Sequence, residues 1–467
     1  MNKQDSSLED YVENDSEKNE MKESDLTRKT VCGIPPSDWP IERLSEVVRI
    51  VSGNSLPTEY QNEEKGQHPV YKVSDMNKPG NQKYVSKVNN KISKENLKEL
   101  NHDLYPKNTT ILPKVGAALL TNKRRMLTEP SSFDNNIMGW IPQEINPEFL
   151  YYLSCMVDME AFAQKGAVPS ISKAIAQKLK IPSPPISEQR KIASVLYNVD
   201  QAIQKTQEII EQTKQVKKGL MQDLFTEGYY NHKEFEEIRI GPFTYRKPSN
   251  WNIKTIKEAK DGENGLRRGP FGSMLKKEIF VESGYKVYQQ QNAIYEDFKY
   301  GDYYITKDKF DEMKRFSVEA GDLLISCSGT LGKIARVPED YEKGVINQAL
   351  LKFSVDEDIF STAYMKYFLQ SNIGQRQLVL SSRGSAIKNM APMGFIKCSK
   401  IFQPSKEEQE KISDTLLTID EKIDAEENRK KQLQRLKKGL MQDLLTGEVR
   451  TKDREVEVVD EVVDCEC

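Results

Sequence analysis

The residue types best placed for chemistry are cations and amides in glycine-bearing, loop-like stretches. Lys123, Arg124 and Arg125 form one basic cluster. Arg267 and Arg268 begin a second, running through Gly269-Pro270-Phe271-Gly272-Ser273 to Lys276 and Lys277. Glycine beside arginine lets the backbone approach a partner closely, and a guanidinium forks onto phosphate or a guanine edge. Gln289, Gln290 and Gln291 follow, and carboxamides pair bidentately with adenine. Arg383-Gly384-Ser385, with Lys388, makes another polar loop, and Lys165-Gly166 with Ser170 and Ser172 stands as its counterpart. These residues are candidate DNA contacts. The same types also serve as solvated surface, and a glutamine run also serves as a polar strand edge.

Chemistry of other kinds finds no support. His68, His102 and His232 are the only histidines, and none sits near a cysteine or carboxylate cluster with metal-ligand spacing. Cys327-Ser-Gly-Thr-Leu-Gly-Lys333-Ile334 resembles a phosphate-binding loop only superficially. That loop needs Gly where Cys327 stands and Ser or Thr where Ile334 stands. Ser183-Pro184-Pro185-Ile186 is not the Asn/Asp-Pro-Pro-aromatic motif with which amino-methyltransferases hold adenine. No glycine-rich dinucleotide fingerprint follows a strand. The pattern points to a binding or scaffolding protein with no catalytic residues, no metal and no cofactor of its own.

Composition narrows the class. The 467 residues suit two to four domains. No run of eighteen apolar residues occurs, the start has no apolar signal region, and the six cysteines form no CxxC pair. A cytoplasmic protein without a disulfide framework is expected. The net charge of −2 hides a split. Residues 1–30 carry 5 basic and 9 acidic side chains, and residues 451–467 carry 2 and 7. The remainder has 62 basic against 55 acidic, so the body is positive between acidic ends of the kind that stay disordered.

The elements that position these residues come in two copies. KKGLMQDL occurs at 217–224 and again at 437–444, an offset of 220. Across 181–228 against 401–448, 19 of 48 positions are identical, among them Glu188/Glu408, Gln189/Gln409 and Asp200/Asp420. Pro36-Ser37-Asp38-Trp39-Pro40-Ile41 parallels Pro248-Ser249-Asn250-Trp251-Asn252-Ile253 at an offset of 212. The chain thus holds two copies of one module, each opening on PSxWxI and closing on the long repeat.

The repeat reads as a helix from Glu188 to Leu224 and from Glu408 to Leu444. Ile192, Leu196, Val199, Ile203, Thr206, Ile210, Thr213, Lys217, Leu220 and Leu224 step by four and three, with their counterparts from Ile412 to Leu444. That spacing is a coiled-coil seam. Pro185 and Pro404 block helix before each copy, and Gly228 and Gly447 suit the exits. A single helix with one narrow apolar stripe needs a partner, and the other copy is the nearest. The bodies read as strand-rich: Gly321–Ser326 as a turn into a buried strand, Lys333–Val337 as another, with Thr110–Lys114 and Gly116–Leu120 in similar places. Helical stretches follow at Pro147–Met159 and Ile359–Ser371. The expected fold is α+β: two pseudo-symmetric strand-rich domains joined and separated by two long helices in an antiparallel coiled coil.

GPFGSMLKKE (269–278), GYKVYQQQNAIY (284–295), GDLLISCSGTLGKIARV (321–337), INQALL (346–351) and the paired EQ…KKGLMQDL helices resemble the specificity subunit of type I restriction–modification systems. The resemblance spans about residues 31–448, and the first half departs at Lys114-Val115-Gly116, which has no SGT. It implies target-recognition domains at 31–187 and 229–407, spacer helices at 188–228 and 408–448, and acidic tails at 1–30 and 449–467. Each domain would read half of a bipartite double-stranded DNA target, with the coiled coil setting the gap. Two methyltransferase subunits using S-adenosylmethionine, and motor-nuclease subunits using ATP and Mg²⁺, would supply the catalysis. Lys217, Lys218, Gln222, Asp223, Lys437, Lys438, Gln442 and Asp443 are expected to face outward as docking sites for two methyltransferase copies, because helix packing alone does not require identical polar letters. The alternative class is a coiled-coil protein adaptor without DNA-reading activity.

Overall fold

The computed structural model describes residues 28–61, 66–164, 168–270, 272–381 and 388–459. The described residues divide into two units: those of 28–206 with those of 429–459, and those of 207–428. The four helices that matter below are α1 (Pro147–Met156), α2 (Ile186–Thr226), α3 (Thr362–Gln370) and α4 (Lys406–Thr446). The chain passes between the units at 206/207 and 428/429, each time inside a long helix, so each unit owns half of α2 and half of α4.

In the first unit Trp39 leads into strand Ile41–Arg43, which pairs antiparallel with Lys180–Pro182 just before α2. A five-stranded sheet runs in the order Val48–Ser52, Ile137–Pro142, Thr110–Pro113, Arg125–Leu127, Tyr84–Val85. Ile50 and Thr110 both face Trp140 in register, which places a fully buried indole mid-sheet. The core then joins α1 to the helix halves: Phe149, Leu150 and Leu153 pack with Ile192 and Leu196 of α2 and with Leu444 and Leu445 of α4. The second unit repeats the scheme. Asn252–Thr255 pairs antiparallel with Lys400–Gln403 before α4. Its two four-stranded sheets are Leu266–Arg268, Leu350–Phe353, Leu323–Ser326, Ile334–Arg336 and Tyr304–Ile305, Tyr285–Tyr288, Gly344–Ile346, Ser317–Val318. Met221, Leu224 and Phe225 of α2 pack there with Ile412 and Leu416 of α4.

The duplicated motifs are explained by duplicated joints. Trp39 Nε1 donates to Glu188 at 3.1 Å, and Trp251 Nε1 donates to Glu408 at 2.9 Å. Gln189 Oε1 accepts from Asn146 N at the start of α1, and Gln409 Oε1 accepts from Ser361 N at the start of α3, both at 2.8 Å. Tyr152 Oη donates to Asp200, and Tyr367 Oη donates to Asp420. Each joint fastens the N-terminal part of a long helix to its own module, so a buried polar group meets a partner as burial demands.

All ten expected seam positions of each long helix are buried or half-buried, and the two helices pack antiparallel within each unit. Lys437 lies 2.6 Å from Asp200, while in the other unit Lys217 lies 2.5 Å from Asp420 and Lys214 lies 2.8 Å from Glu427. The helices exit through left-handed residues, Gly228 at φ +86° and Gly447 at φ +78°, where glycine carries no Cβ penalty.

Two expectations need correction. Gly116–Leu120 is not a strand but a turn leading into the 3₁₀ turn Leu119–Thr121, which ends at left-handed Asn122. Residues 28–30 and 449–459 are not free tails. Arg28 donates to the Pro36 and Trp39 carbonyls, Lys191 donates to three carbonyls between Thr451 and Arg454, and Val459 N donates to Ser194 Oγ. The acidic residues 1–27 and 460–467 lie outside the described residues. Among the described residues no helix is long and apolar enough to cross a membrane.

Candidate nucleic-acid interface and helix docking face

In the second unit, strand ends bring several of the candidate residues together. Arg268 closes its strand, and Gly269 N then donates to Leu350 O. A Cβ at Gly269 would fall 1.8 Å from Asn347 O, so the approach of these two backbones requires glycine. Asn347 N donates to Tyr288 O, the last residue before Gln289. The glutamines are not a strand edge: Gln289 N is capped by Asn292 Oδ1 at 2.7 Å, and Gln290–Tyr295 is a short helix. Gln290 reaches to 3.6 Å of where a Cβ at Gly329 would stand. The Ser328–Thr330 turn is held by Ser326 Oγ, which donates to Thr330 O and accepts from Lys333 N. Arg268-Gly269, Gln289-Gln290, Ser328–Thr330 and Asn347–Ala349 therefore converge as one polar cluster of loops.

The side-chain carbonyl oxygens of Gln290 and Gln291 are buried with no hydrogen-bond partner. They are acceptors whose hydrogen bonds the described residues leave unmade. Lys276 and Lys277 are exposed, as a phosphate-binding cation must be. Arg267 is turned back onto Asn264 Oδ1 at 2.5 and 3.1 Å. Ser273 lies in the 3₁₀ turn Gly272–Leu275, and Lys388 lies on strand Lys388–Met390. The side chains of these two, with Arg383, Ser385 and Lys165-Gly166, are outside the described residues. Ser172 Oγ caps the helix Lys173–Gln177.

In the first unit's basic cluster the expectation for Arg124 needs correction. Arg124 is buried, and its Nε and Nη2 donate to the Ser154 and Val157 carbonyls at 3.0 and 2.8 Å. It satisfies the carbonyls at the C-terminal end of α1, where a cation also complements the helix dipole. Arg125 Nη2 donates to Met76 O at 2.8 Å, and Lys123 Nζ donates to Asn77 Oδ1. Burial pulls both guanidinium pKa values below the usual arginine range. The two arginines tie backbone carbonyls within the domain, and a DNA contact by Arg124 would need the helix end to open.

The residues expected to dock partners also divide. Lys217 and Lys437 do not face outward. Their side chains are 18% and 22% exposed and are spent on Asp420 and Asp200. Lys218, Gln222, Asp223, Lys438 and Gln442 are exposed, and Asp443 is half-buried. The duplicated octamer thus carries both an internal lock and an outward face. Mid-face, a Cβ added at Gly219 or at Gly439 would meet no atom within 4 Å. Glycine in a helix interior costs about 0.5–1 kcal/mol relative to alanine.

Sequence reasoning missed the tyrosines. Tyr152 and Tyr367 both sit on the Asp–Lys locks, but they are 215 residues apart. They fall outside both repeat offsets, so self-comparison could not pair them. Lys83 gave no signal at all. It pairs with Glu148 at 2.6 Å and with Asp200 at 3.6 Å, and its Nζ lies 4.5–5.1 Å from the rings of Tyr84, Tyr151, Tyr152 and Tyr197. Burial, Asp200 and Glu148 push the Tyr152 phenol far above its usual range, so it stays a donor.

The family model described as "Type I restriction modification DNA specificity domain" matches this chain twice, at residues 36–215 and 248–435. The chain is similar to the type I restriction enzyme MjaVIII specificity subunit of Methanocaldococcus jannaschii, 24% identical over 425 residues, covering 90% of this chain and 94% of that protein. It is also similar to the putative type I restriction enzyme MjaX specificity subunit of the same organism, 26% identical over 447 residues, covering 91% and 97%. A chain from the structure described as "Structural basis underlying complex assembly and conformational transition of the type I R-M system" shares the fold at a TM-score of 0.53 and 16% identity, covering 89% of this chain and 99% of that one.

Proposed function

The chain belongs to the type I restriction–modification DNA specificity family, and from that we propose that each of its two modules reads one half of a bipartite double-stranded DNA target. The observation that carries the reading is that the specificity domain occurs twice in one chain, at 36–215 and 248–435. Two similar readers suit the near two-fold symmetry of duplex DNA, and their different loop sequences allow different half-sites. Phosphate contacts from exposed lysines supply affinity, and the Arg268, Gln290 and Ser328–Thr330 loops supply base discrimination in the second half-site. The long helices, joined by the Asp–Lys locks, set the unread gap between the half-sites.

The chain itself performs no bond-making step. Its role is to place two methyltransferase subunits on adenines of the target, with S-adenosylmethionine bound by those subunits. Motor-nuclease subunits driven by ATP and Mg²⁺ act on unmodified DNA. The outward faces of the two octamers receive the methyltransferase copies. The test is methylome mapping of cells expressing this chain with its methyltransferase subunit. The expected motif has two specific parts separated by a gap of fixed length. A single contiguous motif overturns the bipartite reading. Absence of salt-sensitive duplex binding by the purified complex would instead leave a protein adaptor.

A further inference from the structure

We propose that Gln375 in the second module and Arg124 in the first are positioning residues for base reading. Each ties the turn between two neighbouring strands to the end of the helix that is locked to a long helix. The proposal rests on the DNA-specificity reading above and states how its reading loops are held. In the second module the strands Leu323–Ser326 and Ile334–Arg336 are antiparallel neighbours, and the turn between them carries the exposed residues Ser328-Gly329-Thr330. Gln375 Nε2 donates to Gly332 O at 2.9 Å and to Leu369 O, near the C-terminal end of α3, at 2.8 Å. Both amide hydrogens are then spent, one on the turn and one on the helix. Gly332 stands at φ +71°, and a Cβ there would fall 2.4 Å from Gln375 Oε1, so the amide needs glycine beside it. Gln375 is itself fixed. It lies in the helix Asn372–Leu378, where a Cβ at Gly374 would fall 2.5 Å from Leu369 Cα, so this helix beds directly on the end of α3. From α3 itself, Gln370 Nε2 donates to Ile334 O at 3.2 Å. Lys366 pairs at 2.7 Å with Glu296, the residue that ends the short helix of Gln290 and Gln291. Tyr367 donates to Asp420. The end of α3 thus holds the turn, the glutamine helix and α4 at once.

The first module makes the same tie with other residues. Thr110–Pro113 lies between Ile137–Pro142 and Arg125–Leu127, as Leu323–Ser326 lies between Leu350–Phe353 and Ile334–Arg336. The connection from Thr110–Pro113 to Arg125–Leu127 ends at Arg124, which donates to Ser154 O and Val157 O at the end of α1. Asn122 Oδ1 in the same connection accepts from Met159 N. Tyr152 of α1 donates to Asp200. Two modules that anchor equivalent turns to equivalent helix ends, through an amide in one and a guanidinium in the other, point to a need for the tie itself. A hairpin closes without it. An exposed turn held only by its own strands has conformational freedom to lose on binding, and a tether behind it removes that freedom before the duplex arrives. Gln290, whose side-chain oxygen has no hydrogen-bond partner, stands at Gly329 in the tethered turn. Loss of the tether should therefore cost discrimination between bases and leave phosphate contacts in place.

The test uses the full chain in complex with its methyltransferase subunit. Methylome mapping is paired with competition by duplexes that carry one wrong base pair in either half-site. Gln375→Glu keeps the shape but turns a carboxylate oxygen toward both carbonyls. Arg124→Lys keeps the charge and loses the fork. Gln375→Glu should lower discrimination against a wrong base pair about tenfold in one half-site and leave the other half-site parental. Arg124→Lys should relax the opposite half-site. The gap length and the salt dependence of binding should stay parental in both variants, which a general loosening of the fold would not allow. Where Gln375→Glu fails to fold, Gln375→Met, of similar length and without donors, carries the same expectation. Variants that relax both half-sites together, relax the same one, or relax neither overturn the proposal. If the parent itself shows no two-part motif, the bipartite reading falls and takes the proposal with it. A two-part parental motif that these variants leave equally strict sinks the proposal alone.

Discussion

Arg450 holds two carboxylates at once. Its Nε and Nη2 donate to the two oxygens of Glu188 at 2.9 and 2.8 Å, and its Nη1 donates to Asp38 at 2.7 Å. Arg450, with Lys452, holds the Asp38 carboxyl down at about 2. Burial pushes Glu188 up, but Arg450, Trp39 and the Thr451 amide outweigh it and leave the carboxyl below its usual range. Both folded values are depressed, so this clasp stabilises fully above the unfolded carboxylate range of roughly 4 and is lost as pH falls through the folded values. Urea midpoints of the parent should therefore fall more between about pH 5 and pH 2 than those of Arg450→Ala; parallel curves would remove the clasp from acid stability. Arg124 yields a contrasting expectation. Arg124→Ala should lower unfolding stability by about 2–4 kcal/mol, since it strands buried carbonyls. Lys276→Ala with Lys277→Ala should leave melting nearly unchanged and flatten the dependence of DNA affinity on log salt by about one unit for each phosphate left unpaired. A full salt slope in that variant would take both lysines off the DNA. Sequence alone could not separate these clusters. Lys-Arg-Arg reads the same whether the next strand turns the middle side chain inward or outward.

At the scale of the element, the two Asp–Lys–Tyr locks are nearly the same device in different company. In the second unit Asp420 is shared by Lys217 and Tyr367. In the first, Asp200 is shared by Lys437, Tyr152 and Lys83. Removing Lys437 leaves Lys83 to compensate, whereas Lys217 has no such substitute among those partners. A double-mutant cycle on Lys217/Asp420 should give a coupling of about 1 kcal/mol, in keeping with partly exposed pairs, and Lys437/Asp200 should give less. Equal couplings would mean that Lys83 serves Glu148 and not the lock. The long helices themselves were the most legible part of the fold. A period of 3.5 sustained over ten positions outweighs local propensity, so even the polar seam residues Thr206 and Glu426 were placed correctly off the exposed surface, whereas Lys217 and Lys437 follow the seam spacing and not the outward placement expected of them. Their polar partners were not legible, because an interhelical ion pair depends on antiparallel register. Short strands were the weakest part. Gly116–Leu120 carries apolar residues in a strand-like run, yet positive φ at Gly116 and the following 3₁₀ turn end the strand at Pro113.

Over the whole molecule, the units are linked covalently only at 206/207 and 428/429, both within long helices. Both links lie within helix, so helix length can be changed without altering either module. If the gap in the DNA target is set by that length, lengthening both helices at facing positions should lengthen the gap. Four residues inserted after Thr206 and four after Lys430 add about 6 Å at ~1.5 Å per residue. That corresponds to one or two base pairs at ~3.4 Å each. Four residues also turn a helix only ~40° beyond a full turn, so the seam stays close to phase while the locks at Asp200 and Asp420 keep their own partners. Methylation mapping of the paired insertion should therefore return the same two half-sites with a longer gap. Inserting into one helix alone should instead misalign the seam, lower the melting temperature and weaken methylation without a clean new gap. An unchanged gap in a stable paired insertion would mean that the partner subunits, and not this coiled coil, fix the distance between the half-sites.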